Sequence, residues 1–203
     1  MEHGLKLMKI PVLSCGIFKY EFEAIREEVE RKLGEELEPR FLPPALDLNF
    51  TRMEATLRTE LCDKKETVLL YGHMCHPQLQ DIAAEINGWL PARANCAAMF
   101  LPPDRAAELA AEENIFFLTL GGLRQWRDIY IAGHGWDDFD GRSNFGYIDK
   151  IILLDSGVLP YTDEELFEFY EFTQTPIEIE PITLEYFKQN ILDICVRMAE
   201  KLQ

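Results

Sequence analysis

The stretch TVLLYG, from Thr67 to Gly72, is the segment of the sequence that decides the fold class. It is aliphatic without alternation between apolar and polar residues, which is typical of a parallel strand covered on both faces. The stretches NIFFLTL (114–120) and KIILL (150–154) have the same character. We therefore expect a buried strand at each of these three places.

Helical patterns separate the strands along the chain. A charged amphipathic helix is predicted from about Tyr20 to Leu33, with Phe22, Ile25 and Val29 at helical spacing. Further helices are predicted at about 49–61, 77–86, 123–131 and 163–172, further strands at 9–18, 40–42, 90–93 and 175–182, and an irregular loop at 133–146. This alternation predicts an α/β fold with a mostly parallel, doubly wound, Rossmann-like sheet and helices on both faces. We see no linker, so residues 1–203 are expected to form a single domain.

Net charge, the length of apolar runs and cysteine content limit the partners and the cellular location that we expect for this protein. The formal net charge is −16, from 36 acidic and 20 basic residues, which disfavours nucleic acid and anionic membranes as partners. No apolar run approaches the roughly 18 residues of a membrane-spanning helix, and no cleavage site follows the N-terminal apolar stretch. Five cysteines without the tight spacing of a disulfide framework favour reduced thiols. We expect a cytoplasmic protein.

Three of the cysteines follow predicted strands. Cys15 ends the first strand, Cys75 lies shortly after Tyr71, and Cys96 begins a helix after the predicted strand at 90–93. Because parallel sheets bind ligands at the carboxyl ends of their strands, we expect these three thiols to lie at one edge. A shared zinc ion would hold sulfur atoms roughly 3.7 Å apart. Cys62 and Cys195, on predicted helices, are expected to be packed core residues.

Two histidines add to this pattern. His73 and His76 flank Cys75 in the segment YGHMCHP, and the combination of thiolate and imidazole ligands suits zinc. The alternative is that each cysteine is a small buried apolar residue and that the loop histidines are solvated.

Other candidates carry weaker signals. Gly121 and Gly122 form a strand-to-helix turn where the backbone could approach a ligand, although a simple tight turn explains them as well. Asp155 ends a predicted strand and could bind a ligand or cap the turn. The acidic segment 136–142 lacks the ligand spacing of a calcium loop, so we interpret it as solvated. An aromatic cluster is predicted from Trp126, Tyr130, Trp136 and Phe139.

Short motifs also occur in a fixed order along the chain: Cys15-Gly16, Leu42-Pro43, Leu46-Asp47, Tyr71-Gly72 with Cys75, Asn95-Cys96, Phe117-Leu118-Thr119 with Gly121-Gly122, and Leu154-Asp155-Ser156-Gly157. This ordered set resembles the uncharacterised domain-of-unknown-function family 1638, whose members occur in anaerobic bacteria and methanogens, often encoded beside corrinoid-dependent methyltransferases. The resemblance implies a cytoplasmic α/β protein with a cysteine-containing site and a role in one-carbon or corrinoid metabolism.

The resemblance also points to particular site residues. It implies Cys15, Cys75 and Cys96, with Asp47 at a position where the family is expected to favour histidine. The segment YGHMCHP also departs from the shorter YGxCG expected there. Asp47 could supply an oxygen ligand in place of the histidine, or His73 or His76 could compensate.

Three functional hypotheses follow. The first is a metal-binding protein, with zinc as the expected metal and Cys75 and Cys96 as core ligands. Cys15, His73, His76 and Asp47 are candidates for the remaining positions. The second is a non-catalytic module that binds a corrinoid or a corrinoid methyltransferase system. The third is a metal-free thiol enzyme, in which Cys75 is the nucleophile and a neighbouring histidine its base.

Overall fold

Parallel strands in two sheets form the framework of the protein. The computed structural model describes residues 9–63, 65–111 and 113–201. The first sheet has the order β2-β1-β3-β4 and contains β1 (Lys9–Cys15), β2 (Glu36–Leu42), β3 (Thr67–Leu70) and β4 (Gly88–Trp89). The second sheet has the order β5-β6-β7 and contains β5 (Ile115–Thr119), β6 (Lys150–Asp155) and β7 (Ile177–Pro181). Neighbouring strands are parallel throughout. The predicted α/β class is confirmed, with the strands divided between two sheets.

Helices connect the strands. They are α1 (Lys19–Leu33), α2 (Phe50–Glu60), α3 (Leu79–Glu85), α4 (Pro103–Leu109), α5 (Leu120–Trp126), α6 (Asp138–Phe145), α7 (Asp163–Thr173) and α8 (Glu185–Lys201). A π-helix, Arg127–Gly133, continues α5, and short 3₁₀ turns lie at Gly16–Phe18, Pro44–Leu48, His73–Cys75 and Ala97–Met99. Among the described residues, no helix is both long and apolar enough to cross a membrane.

Local sequence explains where the main helices begin and end. The side chain of Asn49 caps α2 by accepting a hydrogen bond from the backbone N–H of Arg52. At α7, Thr162 and Glu165 form a capping box. Helix α1 ends at Gly34, which has a left-handed backbone with φ of 71°.

Two predicted segments differ from the structure. The strand predicted at 90–93 is not formed, and the short β4 lies just before it, at Gly88–Trp89. The segment predicted as an irregular loop at 133–146 contains α6. This helix begins because Asp137 accepts hydrogen bonds from the backbone N–H groups of Phe139 and Asp140, while the Asp140 carboxylate accepts one from the N–H of Asp137.

Buried side chains form three clusters, which pack the helices against the faces of the two sheets. The largest joins α1 and α8 to both sheets and includes Phe22, Val68, Ile152 and Phe187. A second cluster packs α2 and α3 against the other face of the first sheet. The third packs α5, α6 and α7 against the other face of the second sheet. Burial on both faces explains why the central strands are continuously apolar.

Candidate functional site

Several chain segments leave the first sheet at its carboxyl edge. Cys15, the last residue of β1, pairs with Leu42, the last residue of β2. Leu70, the last residue of β3, pairs with Ser14. The turn Pro44–Leu48 and the segment after Leu70 therefore begin at the same edge as Cys15. This is the edge at which parallel α/β sheets bind ligands.

Gly72 allows the segment that carries Cys96 to approach the end of β3. A Cβ atom on Gly72 would lie 2.4 Å from the carbonyl oxygen of Ala94 and 2.4 Å from the Cα atom of Asn95. Backbone hydrogen bonds then join the two segments, since His73 N–H donates to the Arg93 carbonyl and the next N–H donates to Ala94, both at 2.9 Å. Only glycine permits this approach, which brings Cys96 into the neighbourhood of Cys75.

The second half of the chain closes the other side of the site. Helix α5 packs against the turn Gly16–Phe18, where a Cβ atom on Gly121 would lie 1.9 Å from the carbonyl oxygen of Ile17. The side chain of Gln125 donates a hydrogen bond to the carbonyl of Gly16 at 3.3 Å. The π-helix Arg127–Gly133 then contacts the turn Pro44–Leu48. Single π-helical turns occur often at functional sites.

Between these segments lies a cavity of about 250 Å³. Eight of the residues that line it carry polar or reactive side chains: Cys15, Asp47, Tyr71, Cys75, Cys96, Thr119, Tyr130 and His134. The structure therefore brings the three cysteines predicted from strand ends into one cavity, together with Asp47. The remaining wall is largely apolar and includes Ile17, Phe116, Phe117, Leu118 and Ile129.

Burial keeps the cavity thiols protonated at neutral pH. Together with a smaller contribution from the Asp47 carboxylate, it raises the pKa of Cys75 to about 12 and that of Cys96 to about 11. The pKa of Cys15 is raised for the same main reason. Backbone hydrogen bonds act in the opposite direction: those from Ile17 to Cys15, from Gly72 to Cys75 and from Ala97 to Cys96 lower the thiol pKa values.

Two side chains of the cavity wall, Asp47 and Tyr71, carry oxygen atoms that could contact a ligand. Burial raises the pKa of Asp47, while its own backbone and, to a smaller extent, His134 lower it. Tyr71 is almost fully buried, and its hydroxyl has no hydrogen-bond partner among the described residues. Burial also raises the pKa of Tyr71, so that the phenol remains a hydrogen-bond donor.

The two histidines flanking Cys75 lie elsewhere. Neither His73 nor His76 is among the described residues that line the cavity. His73 is exposed, whereas His76 is buried with its ring against Phe50, at a centroid distance of 5.1 Å. Its Nδ1 atom accepts a hydrogen bond from the backbone N–H of Gln78 at 3.0 Å. His76 thus has a local structural role in the turn after β3.

The weaker candidates are also separated by the structure. Gly122 lines the cavity, and its N–H donates to the Thr119 hydroxyl, which caps α5. Gly121 serves the close approach of α5 to Ile17. Asp155 lies at the end of β6, outside the described lining residues, and accepts hydrogen bonds from the Gly157 N–H and from a tyrosine hydroxyl. It caps the turn, which was one of its two predicted roles.

The other two cysteines differ from each other. Cys195 is buried in α8, as expected for a core residue. Cys62 is exposed in the turn after α2, so the prediction that it packs in the core is wrong. The helix ends at Glu60, two residues before Cys62, and the thiol therefore leaves the apolar face of α2.

Sequence reasoning missed His134 as a site residue. It follows the π-helix, and its ring stacks on Trp136 at a centroid distance of 4.5 Å, while Trp136 stacks on Tyr130 at 5.3 Å. The predicted aromatic cluster contained Tyr130 and Trp136, but Phe139 is 75% exposed and does not belong to it. The available signal was a histidine adjoining an aromatic segment, and nothing local linked that segment to the cysteines.

No ready-made coordination sphere is present in the part of the chain that the structure describes. No three histidine, cysteine, aspartate or glutamate side chains there are grouped closely enough to hold a metal ion. The cavity thus contains thiol sulfur, carboxylate oxygen and imidazole nitrogen atoms, but it does not hold them within bonding distance of one common point.

The fold and the cavity define an α/β protein with a thiol-lined site at the carboxyl edge of a parallel sheet. The chain belongs to the family described as protein of unknown function (DUF1638), whose profile matches residues 41–191. That range contains Asp47, Cys75, Cys96 and His134, while Cys15 precedes it. Searches of curated proteins and of solved structures found no significant match.

Proposed function

We propose that the cavity binds a thiophilic metal ion, zinc in the first instance, through Cys15, Cys75 and Cys96. The observation that carries this proposal is the convergence of three cysteines from separate segments on one cavity. Zinc takes thiolate, imidazole and carboxylate ligands, so Asp47 and His134 are the candidates for a fourth position. His134 replaces His73 and His76 in this set because it lines the cavity and they do not.

The surroundings of the sulfur atoms support the same proposal. Each of the three thiols has a backbone hydrogen bond that favours its thiolate form. Such donors orient and stabilise thiolate ligands around metal ions. The negative charge of Asp47 and the negative charges of the thiolates repel one another. A divalent cation placed among them would relieve that repulsion.

Binding requires local rearrangement and loss of protons. Because the sulfur atoms are not grouped around one point, the cysteine side chains must rotate to reach about 2.3 Å from a common ion. Because the thiols are protonated when the cavity is free of metal, uptake of one zinc ion at pH 8 should release about three protons.

Elemental analysis of protein purified without an affinity tag tests the proposal directly. We expect about one zinc per chain in the wild type and in Cys62→Ser, whose exposed thiol is the matched control. Cys75→Ser and Cys96→Ser should each lose most of the metal. Wild-type protein that stays metal-free after dialysis against excess zinc, or equal zinc in all four proteins, would contradict the proposal.

A metal-free thiol enzyme is less well supported. The raised pKa of Cys75, about 12, leaves almost no thiolate at neutral pH, and thiolate is the nucleophilic form. The described lining residues also lack the two histidines that would have served as its base.

For a link to corrinoid chemistry, we propose a protein partner in preference to a bound cofactor. A cavity of about 250 Å³ is smaller than the roughly 300–1,000 Å³ of sites for drug-sized ligands, and a corrinoid is larger still. Association with a corrinoid methyltransferase system rests on the gene neighbourhood expected for the family. Incubation with cobalamin followed by gel filtration should leave the protein colourless, whereas a purified methyltransferase should co-elute with it.

We propose a cytoplasmic location and no nucleic-acid partner. All five cysteines are free, and Cys62 is exposed, as is usual where thiols are kept reduced. The net charge of −16 repels phosphate backbones.

A further inference from the structure

The hydroxyl of Tyr71 is the least explained polar group of the cavity. The side chain is 1% exposed, it lines the cavity, and its hydroxyl lacks a partner within the described residues. Buried hydroxyl groups are nearly always hydrogen-bonded, because an unpaired one loses its interaction with water without compensation. Tyr71 shares the cavity with Cys15, Cys75 and Asp47, so its hydroxyl can donate to a ligand of the proposed metal ion.

The composition of the wall limits what such a ligand can be. Among the described lining residues there is no lysine or arginine, and Asp47 contributes negative charge. Three thiolates already neutralise the proposed divalent ion, so a ligand that carries a further charge, such as a second carboxylate or phosphate group, would enter without a compensating cation. The second half of the chain instead supplies Phe116, Phe117, Leu118 and Ile129, which suit a short hydrocarbon group.

Size restricts the ligand further. A volume of about 250 Å³ is below the roughly 300–1,000 Å³ of sites for drug-sized ligands. A metal ion and an external molecule of a few heavy atoms fill this space. The polar group of that molecule must face the thiols and Tyr71, and its hydrocarbon part must face the aromatic wall.

We propose that the site takes a small uncharged alkanethiol as the external ligand of the metal ion, with Tyr71 donating a hydrogen bond to its sulfur atom. This inference rests on the proposed metal-binding function. A soft sulfur ligand matches a metal ion already held by thiolates. On binding, the thiol S–H bond breaks and a metal–sulfur bond forms at the fourth position, in place of a water molecule or of Asp47 or His134. One proton leaves to solvent, with no oxidation or reduction.

Cobalt(II) substitution makes the test visible. The cobalt-loaded protein is titrated with ethanethiol, with ethanol, and with mercaptoacetate, which has the same thiol but a negative charge. We expect ethanethiol to shift the visible bands and to add sulfur-to-cobalt absorption, ethanol to do neither, and mercaptoacetate to bind at least tenfold more weakly. Tyr71→Phe should keep its cobalt and bind ethanethiol roughly tenfold more weakly, the loss of one hydrogen bond to a charged sulfur. Tyr147→Phe, an exposed tyrosine, should match the wild type.

The outcomes separate the two proposals. Cobalt-loaded protein that shows no response to ethanethiol overturns this inference alone. So does Tyr71→Phe with wild-type affinity, or mercaptoacetate that binds as tightly as ethanethiol. Protein that takes up neither zinc nor cobalt overturns the metal-binding function and this inference together.

Discussion

Replacement of Gly72 by alanine should open the contact that brings Cys75 and Cys96 together. The new Cβ atom would lie 2.4 Å from both the Ala94 oxygen and the Asn95 Cα, which are backbone atoms and cannot rotate away. The two segments must therefore separate, and the hydrogen bonds that join them weaken. Overpacking of this kind costs about 1–3 kcal/mol. Alanine at this position also lowers the conformational entropy of the unfolded chain, which offsets about 0.4–1 kcal/mol of that cost. We expect a net loss of about 1.3 kcal/mol in the free energy of unfolding.

Equilibrium urea unfolding measures this loss. With a denaturant slope of about 2 kcal/mol per molar, the midpoint should fall by about 0.65 M. Gly146→Ala is the matched control, because Gly146 has a right-handed φ of −64° and its Cβ would meet no backbone atom closer than 3.0 Å. If Gly72→Ala unfolds within about 0.5 kcal/mol of the control, the close approach does not constrain the site as argued.

Three further predictions concern other groups. Burial raises the pKa of Glu21 from 4.5 to about 7, so the stability it contributes is present below pH 4.5 and is lost as the pH rises through 7. Glu21→Gln should therefore stabilise the protein by about 3 kcal/mol at pH 8 and not at pH 4, and equal effects at both pH values would refute this. Asn190→Ala removes the oxygen atom that accepts a hydrogen bond from Arg93, and it should lower the free energy of unfolding in urea by about 1–3 kcal/mol. No change in that free energy would show that water replaces the lost acceptor. Iodoacetamide should modify exposed Cys62 well before Cys75, as followed by mass spectrometry, whereas faster reaction at Cys75 would favour the thiol-enzyme hypothesis.

The strands could be predicted because burial on both faces is recorded in local composition. The segments at 67–71, 114–120 and 150–154 are apolar without alternation, and each contains a strand of the parallel sheets. Helix α6 was not predicted because its formation depends on a capping box at Asp137 and Asp140, within a segment whose acidity suggested a solvated loop. The segment 90–93 is not a strand, since β4 ends before it at Trp89, and Pro91 within it has no backbone N–H to donate to a neighbouring strand.

The sequence by itself determined the fold class and the part of the site that belongs to strand ends. Cys15 and Cys75 could be assigned to one edge because the carboxyl ends of parallel strands meet there. The sequence placed Cys96 there through a strand at 90–93 that does not form, and the close contact at Gly72 brings it there instead. Asp47 was indicated only by the resemblance to the family. Only the tertiary structure decided that His134 lines the cavity and that His73 and His76 do not. The π-helix that positions His134 packs across the turn Pro44–Leu48, a contact between segments about 80 residues apart, and packing between distant segments leaves no periodicity in the sequence.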